Sequence, residues 1–80
     1  MVDMAEELLV DKGFVQMRVR IHGMLARIEV PETDFGRIMQ EDIREEIVAK
    51  FTGYGFRYVT FDLQGYRTGS MNKTLNDLNF

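Results

Sequence analysis

Apolar positions change period several times along this chain, and each change predicts an element. From Val2 to Lys12, Val2, Ala5, Leu8 and Leu9 recur at helical spacing, with Asp3, Glu6 and Glu7 outside the stripe. Gly13 follows as a C′ residue, so the pattern predicts a helix ending there. VQMRVRI and MLARIEV then alternate strictly on either side of His22–Gly23, the signature of a β-hairpin. With His22 and Gly23 as a two-residue loop, Ile21 faces Met24, Val19 faces Ala26 and Met17 faces Ile28. The other face then sets Gln16, Arg18 and Arg20 opposite Glu29, Arg27 and Leu25, because strand side chains alternate with period two. Pro31 closes the second strand. Thr33 or Asp34 caps one amphipathic helical stretch containing Phe35, Ile38, Met39, Ile43, Ile47, Val48 and Phe51, which Gly53 and Gly55 stop. FRYVTFDL predicts a third strand, with Val59, Phe61 and Leu63 toward the core and Tyr58, Thr60 and Asp62 toward the opposite face.

The order helix, strand, strand, helix, strand predicts a two-layer α+β sandwich, two helices covering one face of a small three-stranded sheet. The third strand can sit beside either partner, and a parallel crossover into it would be right-handed. Eighty residues make one domain spanning 1–80, with 70–80 a polar tail expected to fray. A chain this short buries only about 60 to 65% of its unfolded surface and holds a margin of roughly 3 to 5 kcal/mol.

Composition narrows the chemistry. The chain has no Cys, which excludes disulfides, zinc–thiolate sites, iron–sulfur clusters and thiol nucleophiles. A formal charge of −3 argues against general nucleic-acid binding, whose affinity comes largely from phosphate neutralisation. No apolar run has the roughly 18 to 20 residues of a membrane span, and MVDMAEELLV is acidic where a signal peptide is basic, so a cytoplasmic location is expected. Of the ten basic residues seven are Arg, which favours planar, bidentate recognition of carboxylate or phosphate.

Two candidate anion sites follow. Arg18 and Arg20 stand two apart on one strand, hence about 7 Å apart on one face, and Arg27 and Glu29 share that face. Its bland alternative is a solvated sheet face on which Glu29 pairs with Arg18 or Arg27. The second candidate is GYRTGS, where Gly65, Thr68, Gly69 and Ser70 flank Arg67, because consecutive backbone N–H groups of a glycine-rich loop can cradle an anion. A plain turn is the alternative there, and the loop is not a P-loop. His22 reads as a turn residue without a catalytic partner, and Glu41, Asp42, Glu45 and Glu46 read as a solvated helix start favoured by the macrodipole. Neither a catalytic group nor a metal site is assigned.

Three stretches carry a resemblance: AEELLVDKGFVQMRVRIHGMLARIEVP, GYGFRYVTFDL and LQGYRTGSMN. Together they resemble the C-terminal domain of the ATP-dependent sacrificial sulfur transferases, the LarE family of the PP-loop ATP pyrophosphatase superfamily. The comparable family segments read RVRxHGxLARIEV and GFKYVTLDLEGYRSGSMN. What the resemblance implies is an enzyme that adenylylates a carboxylate of a pyridinium mononucleotide and donates sulfur, building the nickel-pincer cofactor of lactate racemase.

By that resemblance the family's ATP-binding SGGxDS loop, with ATP and Mg, belongs to an N-terminal ATP pyrophosphatase domain absent from this chain, and the sulfur-donating cysteine is expected upstream of Met1. This chain would bind no cofactor alone and would be non-catalytic. Its role would be substrate or phosphate binding and assembly, within a homo-oligomer that acts on an anionic mononucleotide and involves neither nucleic acid nor membrane. Matching motifs carry the family's substrate-site residues onto Arg18, Arg20, Glu29 and Arg67. Thr68 replaces a usual Ser and Gln64 a usual Glu. The competing classes are a stand-alone anion- or partner-binding α+β module and a purely structural oligomerisation domain.

Overall fold

A computed structural model describes residues 2–66. The element order is α1 (Val2–Asp11), β1 (Arg18–His22), β2 (Leu25–Glu29), a 3₁₀ turn (Glu32–Asp34), α2 (Phe35–Ile38), α3 (Glu41–Gly53) and β3 (Tyr58–Phe61). The sheet order is β1-β2-β3, with β1 antiparallel and β3 parallel to the central β2. This is the expected α+β arrangement, and it settles the third strand beside β2. One core unites Ala5 and Leu9 of α1, Val19, Ala26 and Ile28 of the sheet, and Ile47 and Phe51 of α3.

Both long helices end in the same device, and both endings are written in the sequence. After α1, the Phe14 N–H reaches the Leu9 carbonyl (3.0 Å) and the Gly13 N–H that of Val10 (2.9 Å). After α3, Phe56 reaches Phe51 (3.2 Å) and Gly55 reaches Thr52 (3.0 Å) in the same pattern. These are Schellman motifs, whose apolar C″ residue packs on C3. Leu9, Phe14, Phe51 and Phe56 are all buried, and the Phe51 and Phe56 ring centroids lie 5.8 Å apart. Each helix stop therefore drives an aromatic ring into the core.

Three expectations are corrected. The hairpin turns at Gly23–Met24, not at His22–Gly23, so Arg18 pairs with Glu29, Arg20 with Arg27 and His22 with Leu25. Gly23 has φ +60° while no described non-glycine residue has positive φ, so the left-handed residue takes the first central position, the chemistry of a II′ turn. A His22–Gly23 loop of type I′ would have forced His22 into that conformation. The parity of the faces is unchanged by the shift.

The second helical stretch is broken. Gln40, at ψ 139°, separates α2 from α3. At about 100° per residue a continuous helix would put Ile38 and Ile47 on opposite sides, roughly 180° apart. Both are buried, which only the break allows. Asp34 precedes α2, but its side chain makes no capping bond. Third, Leu63 is not a core residue. It is 78% exposed, because the chain turns away from the sheet directly after β3.

Arg37 stacks over the Phe14 ring at 4.1 Å, yet its Nε and Nη2 are buried without a hydrogen-bond partner. Each unsatisfied buried donor costs about 1 to 3 kcal/mol, against about 0.5 to 2 kcal/mol for the cation–π contact. Arg37→Met keeps a long apolar stem on Phe14 and removes both donors. It is expected to raise the free energy of urea unfolding by ~1 kcal/mol; a loss of stability would show that the guanidinium has a stabilising role these contacts do not explain.

Candidate functional site

The sheet buries one face and leaves the other open. Alternation places Arg18, Arg20 and His22 of β1, Arg27 and Glu29 of β2, and Tyr58 and Thr60 of β3 on that open face. Asp62 follows in the same parity and donates its backbone N–H to the Ile28 carbonyl (2.8 Å).

Glu29 is the buried charge of this face, its side chain 11% exposed. Its Oε2 accepts from Arg27 Nη1 at 2.7 Å and lies 3.5 Å from Arg20 Nε. The same Arg27 nitrogen donates to Asp62 Oδ2 at 2.6 Å. One guanidinium thus ties β2 to the end of β3 through two carboxylates. A buried carboxylate needs such a partner, since an isolated one is strongly penalised by desolvation. His22 Nε2 lies 3.4 Å from Arg27 Nη2, at the end of β1 rather than in the turn.

The remaining cations differ in commitment. Arg20 is half exposed and holds Glu29 only at the long distance. Arg18 is exposed and enters no ion pair among the described residues, although it stands directly across from Glu29. The centre of the face therefore holds one guanidinium, Arg27, between two carboxylates, and leaves Arg18 and the half-exposed Arg20 to approach a ligand oxygen. Two added oxygens on neighbouring guanidinium groups are what a phosphate or dicarboxylate supplies.

Structure brings Arg18, Arg20 and Glu29 together, while Arg67, Thr68, Gly69 and Ser70 lie outside the described residues. Gly65 is described and buried. Its N–H donates to the Asp62 carbonyl (3.1 Å), and a Cβ there would meet the Val30 carbonyl oxygen at 3.1 Å and the Phe35 ring at 3.2 Å. At φ +85° and in such contact the position takes only glycine without strain. The Tyr66 N–H donates to the Val30 carbonyl (2.8 Å), so the described chain ends one residue from Glu29 in space.

Asp62 is the site member that sequence reading did not select, and Arg27, placed on the candidate face, was not paired with it. Parity already put both on the open face. What was missing was the place of β3 beside β2, which brings them into contact. Among the described residues no group of three His, Cys, Asp or Glu side chains could hold a metal ion, and no helix is long and apolar enough to cross a membrane.

Fold and site together define a small α+β unit with a carboxylate-braced arginine face. Scanned against models of known protein families, the chain matches none. It is 44% identical over 71 residues to the pyridinium-3,5-bisthiocarboxylic acid mononucleotide synthase of Lactiplantibacillus plantarum, covering 89% of this chain and 25% of that protein. An uncharacterized protein of Synechocystis sp. is 42% identical over 74 residues, covering 92% of this chain and 28% of its own length. A third relative, an uncharacterized protein of Methanocaldococcus jannaschii, is 39% identical over 67 residues, 84% of this chain and 25% of that protein. The chain thus spans about a quarter of the length of the curated relatives it matches.

Proposed function

We propose that this chain is the phosphate- and substrate-contacting C-terminal domain of a LarE-type ATP-dependent sulfur transferase, acting in nickel-pincer cofactor maturation. The observation that carries this reading is the exposed Arg18 and Arg20 on one face, with Glu29 3.5 Å from Arg20, within a segment 44% identical to a synthase named for a pyridinium mononucleotide. Arg18 and Arg20 supply the two guanidinium groups for the nucleotide phosphate. Glu29 holds Arg20 in place without fully neutralising it, and Arg67 adds a further contact from the GYRTGS loop.

The chain is non-catalytic by itself in this reading. ATP, Mg²⁺ and the sulfur-donating cysteine belong to a separate ATP pyrophosphatase domain, the first partner of this one, in a cytoplasmic homo-oligomer. The absence of Cys from this sequence supports that division of labour.

The test is an NMR titration of the 80-residue chain with pyrophosphate, AMP and nicotinic acid mononucleotide, followed at backbone amides and at several salt concentrations. Saturable shifts on β1 near Arg18 and Arg20, at Glu29 and in the 65–70 loop are expected. Arg18→Ala combined with Arg20→Ala should weaken binding by at least about tenfold, equivalent to ~1.4 kcal/mol, while leaving the unfolding midpoint nearly unchanged. Unaltered affinity in the double variant would remove the arginines from the site.

A further inference from the structure

The open face of the sheet is laid out in rows, because paired residues of neighbouring strands fall side by side. His22, Leu25 and Tyr58 form the first row, Arg20, Arg27 and Thr60 the second, and Arg18 and Glu29 the third, with Asp62 just past β3 at that end. Successive rows are two residues apart along each strand, hence about 7 Å. With His22 neutral the first row carries no charge, whereas both others carry arginine. The face thus changes from an apolar, aromatic end to a cationic one over a single row.

Tyr58 dominates the uncharged row. It is 62% exposed, and its ring enters no stacked, edge-on or cation–π contact among the described residues. By contrast, Phe35 packs edge-on against Phe61, and Phe51 packs against both Tyr54 and Phe56. The backbone of Tyr58 is nevertheless held, since the N–H groups of Arg57 and Tyr58 both donate to the Met24 carbonyl, at 2.8 and 3.2 Å. Beside it on the central strand, Leu25 is half-buried. An aromatic side chain anchored through its strand and left without a partner is a surface already formed for stacking.

We propose that Tyr58 is a specificity-determining residue that stacks on the pyridinium ring of a mononucleotide whose phosphate lies on Arg18 and Arg20; this rests on the mononucleotide reading above. A pyridinium ring is both flat and cationic, and the electron-rich face of a tyrosine attracts a cation as well as an aromatic plane. Arg20 stands one row from Tyr58, and the two enter from the outer strands, each about 4.8 Å from the central one. Ribose separates ring from phosphate by a span of this order, so one ligand can meet the aromatic row and the arginines together. A sugar phosphate without the ring uses only the cationic end.

NMR titrations of the chain at one salt concentration test this with three probes: nicotinic acid mononucleotide, ribose 5-phosphate, which lacks the ring, and 1-methylnicotinamide, a pyridinium cation without phosphate. The mononucleotide is expected to bind at least about fivefold tighter than ribose 5-phosphate, the factor an exposed cation–π contact supplies, and to shift the Tyr58 ring signals. Tyr58→Leu should abolish that preference and leave the affinity for ribose 5-phosphate unchanged, whereas Tyr58→Phe should keep it. Equal affinity for the two phosphates, or a preference that survives Tyr58→Leu, overturns the ring site while the arginine reading stands. Shifts at Tyr58 and Leu25 with 1-methylnicotinamide, without any response to ribose 5-phosphate, keep the ring site and remove the arginines. Silence toward all three probes overturns both.

Discussion

Phe51→Ala is expected to leave this chain largely unfolded at 25 °C. The ring is fully buried, packs at 5.8 Å centroid distance from both Tyr54 and Phe56, and occupies the C3 position of the motif that ends α3. Truncating a buried Phe costs about 3 to 5 kcal/mol through lost transfer energy and the cavity left behind. A domain of this size holds roughly 3 to 5 kcal/mol in total. The two figures are equal within their spread, so the variant has little or no stability left. Far-UV circular dichroism with urea titration reads this directly. A cooperative transition displaced by less than about 1.5 kcal/mol would mean that the core repacks around the gap far better than its density suggests.

Arg27→Ala carries the second large effect, because it strikes stability and the anion site together. Its Nη1 is shared by Glu29 and Asp62, whose side chains are 11% and 13% exposed. Without it Glu29 retains, among the described residues, only the 3.5 Å contact to Arg20. Removing one partner of a buried pair costs about 3 to 5 kcal/mol. Arg27 is itself a third exposed, which places the expected loss lower, at about 2 to 3 kcal/mol. The open face also loses a positive charge while keeping both carboxylates, so pyrophosphate binding should weaken by about tenfold, or ~1.4 kcal/mol. Both carboxylates converge on a single nitrogen, so a compact ammonium can serve much of the geometry. Arg27→Lys is therefore expected to recover over half of the lost stability. Equal loss in the Lys and Ala variants would show that the planar fork, including its approach to His22, is what the site requires.

These two positions show where sequence reading succeeds and where it stops. Phe51 was visible as a core residue from its place on the apolar stripe of a helix, whereas the burial of Phe14 and Phe56 after the terminal glycines was not read from the sequence. The open face was also visible, since Arg18, Arg20, Arg27 and Glu29 share one parity whichever hairpin register is adopted. The register itself was missed by two positions, because alternation is indifferent to a shift that preserves parity. Only the conformational demand of the turn, met by Gly23 and not by His22, distinguishes the two registers. The helix break at Gln40 was invisible for a related reason. The stripe from Phe35 to Phe51 contains enough apolar residues to satisfy a helical template, but whether Ile38 and Ile47 reach the same core depends on what the helix packs against.

The sequence by itself determined the order of helix and strand segments, the glycine stops after α1 and α3 and the two-sided character of the sheet, because these rest on interactions between residues two to five apart. Tertiary structure alone decided that β2 is central, that β3 runs parallel to it, and that Arg27 meets Asp62 across 35 positions. Those contacts depend on how a crossover helix settles on the sheet, a balance of packing and chain closure that no local period encodes.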